Sequence, residues 1–365
     1  MTTHNSKNER IKREYFTYLK EAKRYSEATL DGVVKALHRF ENYTKFKDFK
    51  NFHIQQAVAF KAHLSDQRNR RTDKPLSKST LYSTLAALKN FFQWLAGRPG
   101  FKSRLSYADA DYFNLSEKDT RVAKIQRELP VPTLEQIRHV IKAMPVRSEI
   151  EQRNRALIAF AILTGARDGA IASFKLKHID LVGNLINQDA REVKTKFSKS
   201  FTTYFFPVGD DFMEIVRDWE SYLREEKLWG LEDPVFPATH ISLGKTGGFE
   251  ATGLARKQWS TAGPIRKIFK EAFNLAGLPY FNPHSFRKTL ALFGEKVCQT
   301  PEEFKAWSQN LGHEKVLTTF YSYGNVSPRR QAEIISQLGP SNTPEDVLEL
   351  AEQLFKAAKR SSGAS

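Results

Sequence analysis

Cysteine is nearly absent from this sequence: the 365 residues contain one, Cys298. A single cysteine excludes an internal disulfide and a metal site built from several cysteines, and it suits a reducing compartment. Runs of 18 apolar residues are absent too, so the sequence predicts no membrane-spanning helix. The first seven residues, Met-Thr-Thr-His-Asn-Ser-Lys, lack the apolar core of a secretory signal. We therefore expect a cytoplasmic protein with no membrane partner.

Acidic residues are too few to balance the basic ones. Against 57 Lys and Arg stand 41 Asp and Glu, which gives a formal net charge of +16 and a pI near 9.7. Such an excess favours polyanions, because a basic protein releases the counterions that a polyanion holds. A membrane surface is the alternative, but no basic amphipathic helix with a Trp/Phe face stands out. Nucleic acid is therefore the predicted partner.

Helical periodicity dominates the first hundred residues. Four segments carry apolar residues on one helical face, and they begin near residues 8, 26, 54 and 79. Gly97 and Pro99 end the fourth of them. The sequence predicts an all-α N-terminal domain over residues 9–100, after a disordered start at 1–8. Residues 101–129 lack a sustained period and are predicted to form a linker.

A basic loop separates the third and fourth predicted helices. Residues 66–75 read Asp-Gln-Arg-Asn-Arg-Arg-Thr-Asp-Lys-Pro. Four cations lie within it, namely Arg68, Arg70, Arg71 and Lys74. We predict that this loop contacts the phosphates of a nucleic acid backbone.

The second domain is predicted over residues 130–340 and begins at a capping box formed by Thr133 and Gln136. Most of it is helical. Three short segments rich in β-branched or aromatic residues are predicted strands, at 185–187, 191–197 and 201–206, with a hairpin turn at 198–200. A Gly-rich stretch at 238–256 is predicted to be a mobile loop, and a C-terminal helix and tail follow at 341–365. The predicted fold class is mainly α with a small antiparallel β-sheet.

Side chains that suit phosphoryl transfer occur in two segments of the sequence. Arg167 lies in one turn, and residues 281–324 hold His284, Arg287 and His313 together with several hydroxyls. A pair of arginines can neutralise the charge of a pentacoordinate phosphate. His284 and Arg287 are three residues apart, so they would share a helix face. Taken singly, each residue is better explained as a surface cation or a helix cap, and only their conjunction favours a site.

Cleavage of a phosphodiester without a metal also needs a nucleophile and an acid. A tyrosine can attack phosphorus once its proton is drawn off, since its free pKa is about 10. Tyr321 and Tyr323 are candidates, and each could instead be a core aromatic. A lysine at the hairpin turn could protonate the departing sugar oxygen. The sequence shows no metal-ligand cluster, so the predicted chemistry uses neither a metal nor a cofactor.

Three sequence boxes resemble those of the tyrosine recombinases, the phage-integrase family. Leu163-Thr-Gly-Ala-Arg167 resembles the first-arginine box, and His284-Ser-Phe-Arg287 resembles the His-x-x-Arg box. Leu311-Gly-His313, followed by Thr318-Thr319 and a tyrosine, resembles the box that comes next. The boxes occur in the family order and span most of 133–338. The helical N-terminal domain resembles the family's core-binding domain.

This resemblance implies a role for each matching residue. Arg167 and Arg287 would hold the scissile phosphate, with His313 assisting. His284 would act as a general base or orient the phosphate. The position three residues after the first arginine is often Glu in the family and is Ala170 here. Because that position is not a reacting group, the departure does not put activity in doubt.

The general acid of the family is a lysine on a β-hairpin. We prefer Lys196, because the sequence places it late in the predicted strand and close to the turn. Lys194 comes next, and Lys199 is a further alternative.

The family's tyrosine follows the histidine of the last box by nine or ten residues. Nine residues after His313 is Ser322, and ten is Tyr323. The variant Thr-Thr-x-x-x-Tyr also fits Tyr323, so we prefer it, with Tyr321 as the reserve.

The resemblance therefore implies a site-specific DNA recombinase, the integrase of a mobile element. Such an enzyme cuts and rejoins DNA through a 3′-phosphotyrosyl intermediate without ATP or a metal. The implied partners are double-stranded DNA and directionality or bending factors. The implied assembly is a homotetramer on synapsed DNA and a monomer when free. The implied location is the bacterial cytoplasm, with the nucleoid. A type IB topoisomerase-like relaxing enzyme and an inactive DNA-binding protein on the same scaffold are the alternatives.

Overall fold

The chain divides into two compact units, Met1–Arg127 and Glu128–Ser365, in a computed structural model. The structure describes residues 4–69, 72–125, 130–243 and 247–313. In these ranges no helix is both long and apolar enough to span a lipid bilayer.

The first unit is all helical in its described part. Its five α-helices are α1 (Ser6–Thr17), α2 (Glu27–Tyr43), α3 (Ile54–Asp66), α4 (Lys78–Ala96) and α5 (Glu117–Lys124). Side chains cap four of their N-termini: Asn5 accepts from the Lys7 and Asn8 N–H groups, Ser26 from the Thr29 N–H, Ser77 from the Thr80 N–H and Ser116 from the Asp119 N–H. Each cap satisfies a backbone donor that the first helical turn leaves without a partner.

The core of this unit extends beyond the predicted domain boundary at residue 100. Phe40, Phe60, Phe92 and Phe113 are fully buried, and the Phe92 and Phe113 ring centroids lie 5.4 Å apart. Phe101 is buried in the same core. The linker predicted at 101–129 is therefore corrected: residues up to 125 pack into or fold beside the first unit. Periodicity missed this segment because its apolar residues fill separate gaps in the core instead of forming one helical face.

The second unit contains seven further α-helices among its described residues. They are α6 (Leu134–Ala143), α7 (Glu149–Thr164), α8 (Asp168–Ile171), α9 (Asp210–Ser221), α10 (Gly263–Leu275), α11 (Pro283–Val297) and α12 (Pro301–Asn310). Helix α7 lies at the centre, since every residue from Ala156 to Thr164 is buried. The predicted capping box of Thr133 and Gln136 is confirmed at the start of α6.

A three-stranded antiparallel sheet lies beside these helices. Its strands, in the order β1-β2-β3, are β1 (Ile179–Asp180), β2 (Leu185–Gln188) and β3 (Phe201–Tyr204). The strand predicted at 191–197 is wrong. Residues 189–200 instead form a loop in which Val193 is anchored in the core, and a 3₁₀ turn spans Lys196–Ser198. Val193, Thr195 and Phe197 alternate with charged residues as in a strand, but the pairing of β2 with β3 ends at Gln188 and Phe201 and leaves them outside the ladder.

A second sheet replaces the mobile loop predicted at 238–256. It is the antiparallel pair β4 (Ala238–Leu243) and β5 (Phe249–Ala255). Both strands are largely exposed on both faces, so the apolar/polar alternation that marks a half-buried strand is missing. The predicted class, mainly α with a small antiparallel β-sheet, is confirmed, and the described residues form a second such sheet.

The outer edge of β3 is joined to the end of α12. The side-chain amide of Asn310 donates to the Tyr204 carbonyl (2.8 Å), and its oxygen accepts from the Tyr204 N–H (2.7 Å). The Phe206 N–H, just beyond the strand, donates to the Leu163 carbonyl (2.7 Å). These bonds hold the sheet against α7 and against the segment that leads to His313.

Candidate active site

Arg167 follows a tight turn at the C-terminus of α7. Gly165 ends this helix in the left-handed conformation, with φ of 58°. A Cβ on Gly165 would lie 2.9 Å from Leu290 and 3.0 Å from Leu311, so glycine is needed both for the dihedral angle and for the space. Thr164 stabilises the turn, because its hydroxyl donates to the Phe160 carbonyl (2.7 Å) and accepts from the Ala166 N–H (3.2 Å).

Arg287 lies on α11, which begins at Pro283 with Asn282 as its N-cap. Its side chain is buried, with 5% exposed. One terminal nitrogen donates to the Gly165 carbonyl, and the other donates to the Leu311 carbonyl and to Nε2 of His313 (3.1 Å). Three of the five guanidinium donors are thus used, and Nε is buried without a partner in the described part of the chain.

His313 completes the contact with Arg287. Gly312 before it has φ of 69°, and a Cβ there would lie 2.6 Å from the Phe201 ring on β3. Burial, and then the positive charges of Arg287 and Arg167, lower the pKa of His313 to about 4. Since arginine can only donate, Nε2 of a neutral His313 is the acceptor. The imidazole is therefore uncharged at neutral pH.

His284 lies in the first turn of α11, three residues before Arg287, as its spacing predicted. Partial burial lowers its pKa first, followed by the charges of Arg287, Lys288 and Arg167. Asp168 acts in the opposite direction. A histidine that is neutral at physiological pH and exposed at the surface can accept a proton from an approaching hydroxyl.

Arg167 is held differently from Arg287. It is the N-cap residue of α8 and is partly buried, which lowers its pKa. Among the described residues, its guanidinium has neither a hydrogen-bond acceptor nor a carboxylate partner. The adjacent Asp168 pairs instead with Arg266 on α10 (2.7 Å). Arg167 is thus left available to an anion.

The three candidate lysines differ in their surroundings. The charge on Lys196 contributes to the lowered pKa of His313, so Lys196 lies within electrostatic reach of that imidazole. The Nζ atom of Lys194 donates to the Ser260 carbonyl (3.0 Å). Lys199 is the C-cap of the 3₁₀ turn that begins at Lys196. Lys196 as the lysine of the site stays a prediction, and it is the one of the three whose charge acts on His313.

The structure thus brings together five of the six predicted catalytic side chains. Tyr323, and its alternative Tyr321, lie outside the described residues. In the basic loop, Arg68 donates to the Asp73 carbonyl (2.7 Å) and carboxylate (2.9 Å) and Lys74 is exposed, whereas Arg70 and Arg71 lie outside the described residues.

Two contributors to this site were missed in the sequence. The carbonyl of Gly165 accepts from Arg287, and Asn310 connects the sheet to the segment of His313. The glycine in the first-arginine box indicated a tight turn, but no sequence signal predicted a bond between residues 122 positions apart.

The charges of these side chains make the site suitable for an anion. Arg167, Arg287 and Lys196 supply positive charge around two neutral imidazoles. Groups of His, Cys, Asp and Glu that could hold a metal ion do not occur in the part of the chain that the structure describes. A phosphate oxygen matches the forked geometry and charge of arginine.

Comparisons with known proteins identify the family to which this chain is similar. The sequence model described as "Phage integrase family" matches residues 131–330, and "Phage integrase, N-terminal SAM-like domain" matches residues 13–98. The tyrosine recombinase XerC of Bacillus licheniformis is 21% identical over 306 residues, which cover 84% of this chain and 88% of the relative. XerC of Halalkalibacterium halodurans is 22% identical, over 88% of this chain and 94% of the relative.

Two solved structures share the fold. A lambda integrase(75-356) dimer bound to a COC′ core site has a TM-score of 0.59 at 13% identity, covering 87% of this chain and 95% of that one. XerH bound to palindromic difH substrate, in a post-cleavage complex, has a TM-score of 0.57 at 16% identity, covering 89% and 84%. The prediction of a tyrosine-type site-specific recombinase is confirmed, and the chain belongs to the phage integrase family.

Proposed function

We propose that this recombinase cuts and rejoins DNA strands through a covalent bond between Tyr323 and a 3′ phosphate. The observation that carries the proposal is the convergence of Arg167, Arg287 and Lys196 around neutral His284 and His313. These charges suit a phosphodiester, whose negative charge grows in the transition state. Two neutral imidazoles allow one to accept a proton and the other to orient Arg287.

The reaction needs no external energy source. The Tyr323 hydroxyl loses its proton to His284 and attacks phosphorus, while Arg167 and the remaining donors of Arg287 stabilise the pentacoordinate phosphate. The bond between phosphorus and the 5′ oxygen breaks, and that oxygen takes a proton from Lys196. A 5′ hydroxyl from a partner strand then attacks the phosphotyrosine and releases Tyr323.

Domain roles and assembly follow from this chemistry. Residues 130–340 carry the reaction, while residues 9–100 bind DNA, with Arg68, Arg70, Arg71 and Lys74 near the phosphate backbone. Exchange of strands between two duplexes uses four active sites, so we infer a homotetramer on DNA. A structure with the same fold, a lambda integrase tetramer bound to a Holliday junction, supports this stoichiometry (TM-score 0.53, 15% identity). Directionality or bending factors would act on the same assembly, in the bacterial cytoplasm where the DNA lies.

A nicked suicide duplex tests the proposal, because loss of the short strand traps the covalent intermediate. Duplexes tiled across the DNA that flanks the gene are the probe. Wild-type protein and Tyr321→Phe should form an adduct that survives denaturing electrophoresis, and Tyr323→Phe should form none. Adduct formation by Tyr323→Phe but not Tyr321→Phe would assign the nucleophile to Tyr321, and no adduct with wild-type protein would overturn the proposed reaction.

A further inference from the structure

The loop that carries Lys196 lies outside the strand ladder. We name residues 189–200, between β2 and β3, the lysine loop. Strand pairing stops at Gln188 and Phe201, so the ladder does not fix the loop. Val193 is buried, and the Lys194 N–H donates to the Ser173 hydroxyl (2.9 Å). Contacts outside the strand ladder therefore help to set the position of the lysine loop.

Glu192 is the charged anchor of the lysine loop. Its carboxylate accepts from Nζ of Lys177 (2.8 Å) and lies 3.1 Å from Nε2 of His178. The Nζ atom of Lys175 is 3.8 Å away. All three partners belong to one short segment, 175–178, so a single carboxylate joins the lysine loop to that segment.

The orientation of His178 makes this contact directional. Its Nδ1 accepts from the Lys175 backbone N–H (3.0 Å), which leaves the proton on Nε2 to donate to Glu192. The ring is buried, with 4% of the residue exposed. A neutral, buried imidazole thus presents a fixed donor to a carboxylate at the surface.

Segment 175–178 is itself firmly placed in the second unit. The Leu176 and Lys177 N–H groups donate to the carbonyls of Asp233 (2.9 Å) and Leu231 (3.0 Å), and Leu176 is buried. The same stretch of chain leads back through α8 to Arg167. Glu192 therefore connects the lysine loop to the element that begins at the first arginine.

We propose that Glu192 is a positioning residue that places Lys196 against the leaving 5′ oxygen through its contacts with Lys177 and His178. The proposal rests on the proposed function of Lys196 as general acid. The carboxylate is partly exposed, with 36% of its side chain accessible, and exposed ion pairs contribute little to global stability. A small displacement of an acid can nevertheless slow proton transfer greatly, since a shift of about 1 Å can cost about 100-fold. The expected defect is in chemistry and not in folding.

A substrate with a sulfur leaving group separates a defect in proton transfer from other causes of slow cleavage. Two nicked duplexes of identical sequence are compared, one with the natural 5′ oxygen and one with a sulfur bridging phosphorus and the 5′ carbon. A thiolate leaves without a proton because its pKa is far below that of an alcohol. Single-turnover formation of the phosphotyrosyl adduct is measured at saturating protein, so weaker DNA binding does not affect the rate.

Glu192→Ala should cleave the oxygen duplex about tenfold or more slowly than wild type and the sulfur duplex at the wild-type rate. Glu232→Ala is the matched control: Glu232 pairs with the same Lys175 (2.7 Å) and Lys177 (2.8 Å) but lies outside the lysine loop. It should cleave both duplexes as wild type does. Equal slowing of Glu192→Ala on both duplexes, or no slowing on either, would overturn the positioning role.

The variant Lys196→Ala shows whether a negative result concerns the positioning role of Glu192 or the proposed function of Lys196 as general acid. Its slow cleavage of the oxygen duplex should be restored on the sulfur duplex. If the sulfur duplex does not restore cleavage by Lys196→Ala, Lys196 is not the general acid, and the positioning role of Glu192 is then wrong as well. If the sulfur duplex restores cleavage by Lys196→Ala but not by Glu192→Ala, Lys196 is the general acid and only the positioning role of Glu192 is wrong.

Discussion

The two segments that carry the site's arginines are held in opposite ways. On α11, Arg287 is 5% exposed, and its terminal nitrogens donate to two backbone carbonyls and to His313. At the start of α8, Arg167 is partly buried and has no acceptor among the described residues. One guanidinium joins three parts of the unit, and the other is left for a ligand. Two residues of the same type, proposed to share one phosphate, thus differ in what they do for the fold.

The largest expected effect is the contrast between Arg287→Ala and Arg167→Ala. Loss of Arg287 leaves two buried carbonyls without a donor, so we expect the free energy of unfolding to fall by about 3 kcal/mol. Loss of Arg167 breaks no internal hydrogen bond in the described residues, and the expected change is within about 0.5 kcal/mol. Both variants should form the DNA adduct about 100-fold more slowly or worse. Denaturant unfolding and adduct formation measure the two quantities.

A different result would show where this comparison fails. If Arg167→Ala is destabilised as strongly as Arg287→Ala, Arg167 has a structural role that its surroundings do not indicate. If Arg287→Ala keeps its stability, the hydrogen bonds to Gly165 and Leu311 contribute less than their burial implies.

The turn that receives Arg287 should be the next most sensitive position. Gly165→Ala combines a left-handed φ of 58° with a Cβ 2.9 Å from Leu290, so a loss of about 2–4 kcal/mol is expected. Gly277→Ala is the control, because Gly277 has φ of 68° but no atom within 4 Å of an added Cβ. Its loss should be about 1 kcal/mol, the cost of backbone strain alone. Equal losses, measured by thermal unfolding, would mean that the neighbours of Gly165 move aside.

The pH dependence that His313 adds has no effect on stability at neutral pH and is expected only in acid. Its pKa is about 4 in the folded protein and about 6.5 in the unfolded chain, so the unfolded state binds more protons between these values. The contribution of neutral His313 is complete above about pH 6.5 and is lost as pH falls toward 4, because stability rises with pH wherever the unfolded state binds more protons. A His313→Asn variant should lose less stability than wild type over this range. An NMR titration that finds His313 protonated at pH 6 would contradict the prediction.

Local patterns predicted the helical part of the site. The spacing of His284 and Arg287 predicted a shared helix, and the Thr-Gly-Ala-Arg box predicted a turn before Arg167, because both features depend on neighbours in sequence. Residues 191–197 of the lysine loop were predicted as a strand since Val193, Thr195 and Phe197 raise β propensity, whereas the loop is held by contacts of Glu192 and Lys194 with distant segments. Long-range contacts of this kind leave no periodic signal.

The same reasoning explains the errors outside the site. The pair β4–β5 lacks a buried face, so its pattern resembled a loop. Residues 101–125 contribute isolated apolar side chains such as Phe113 to the core of the first unit, and no window of sequence shows that these gaps exist.

The side chain of Asn310 also has a consequence for association between molecules. Among the strands that the structure describes, β3 lies at the edge of its sheet, and the outer N–H and C=O of an edge strand can pair with a strand of another chain. At Tyr204 both groups are taken by the Asn310 amide, and the Phe206 N–H is taken by Leu163. A foreign strand would have to displace an amide and a backbone carbonyl of the same unit before it could extend the sheet past Tyr204. Asn310 and Leu163 thus protect the Tyr204 end of this edge against the strand-to-strand growth that leads to aggregation.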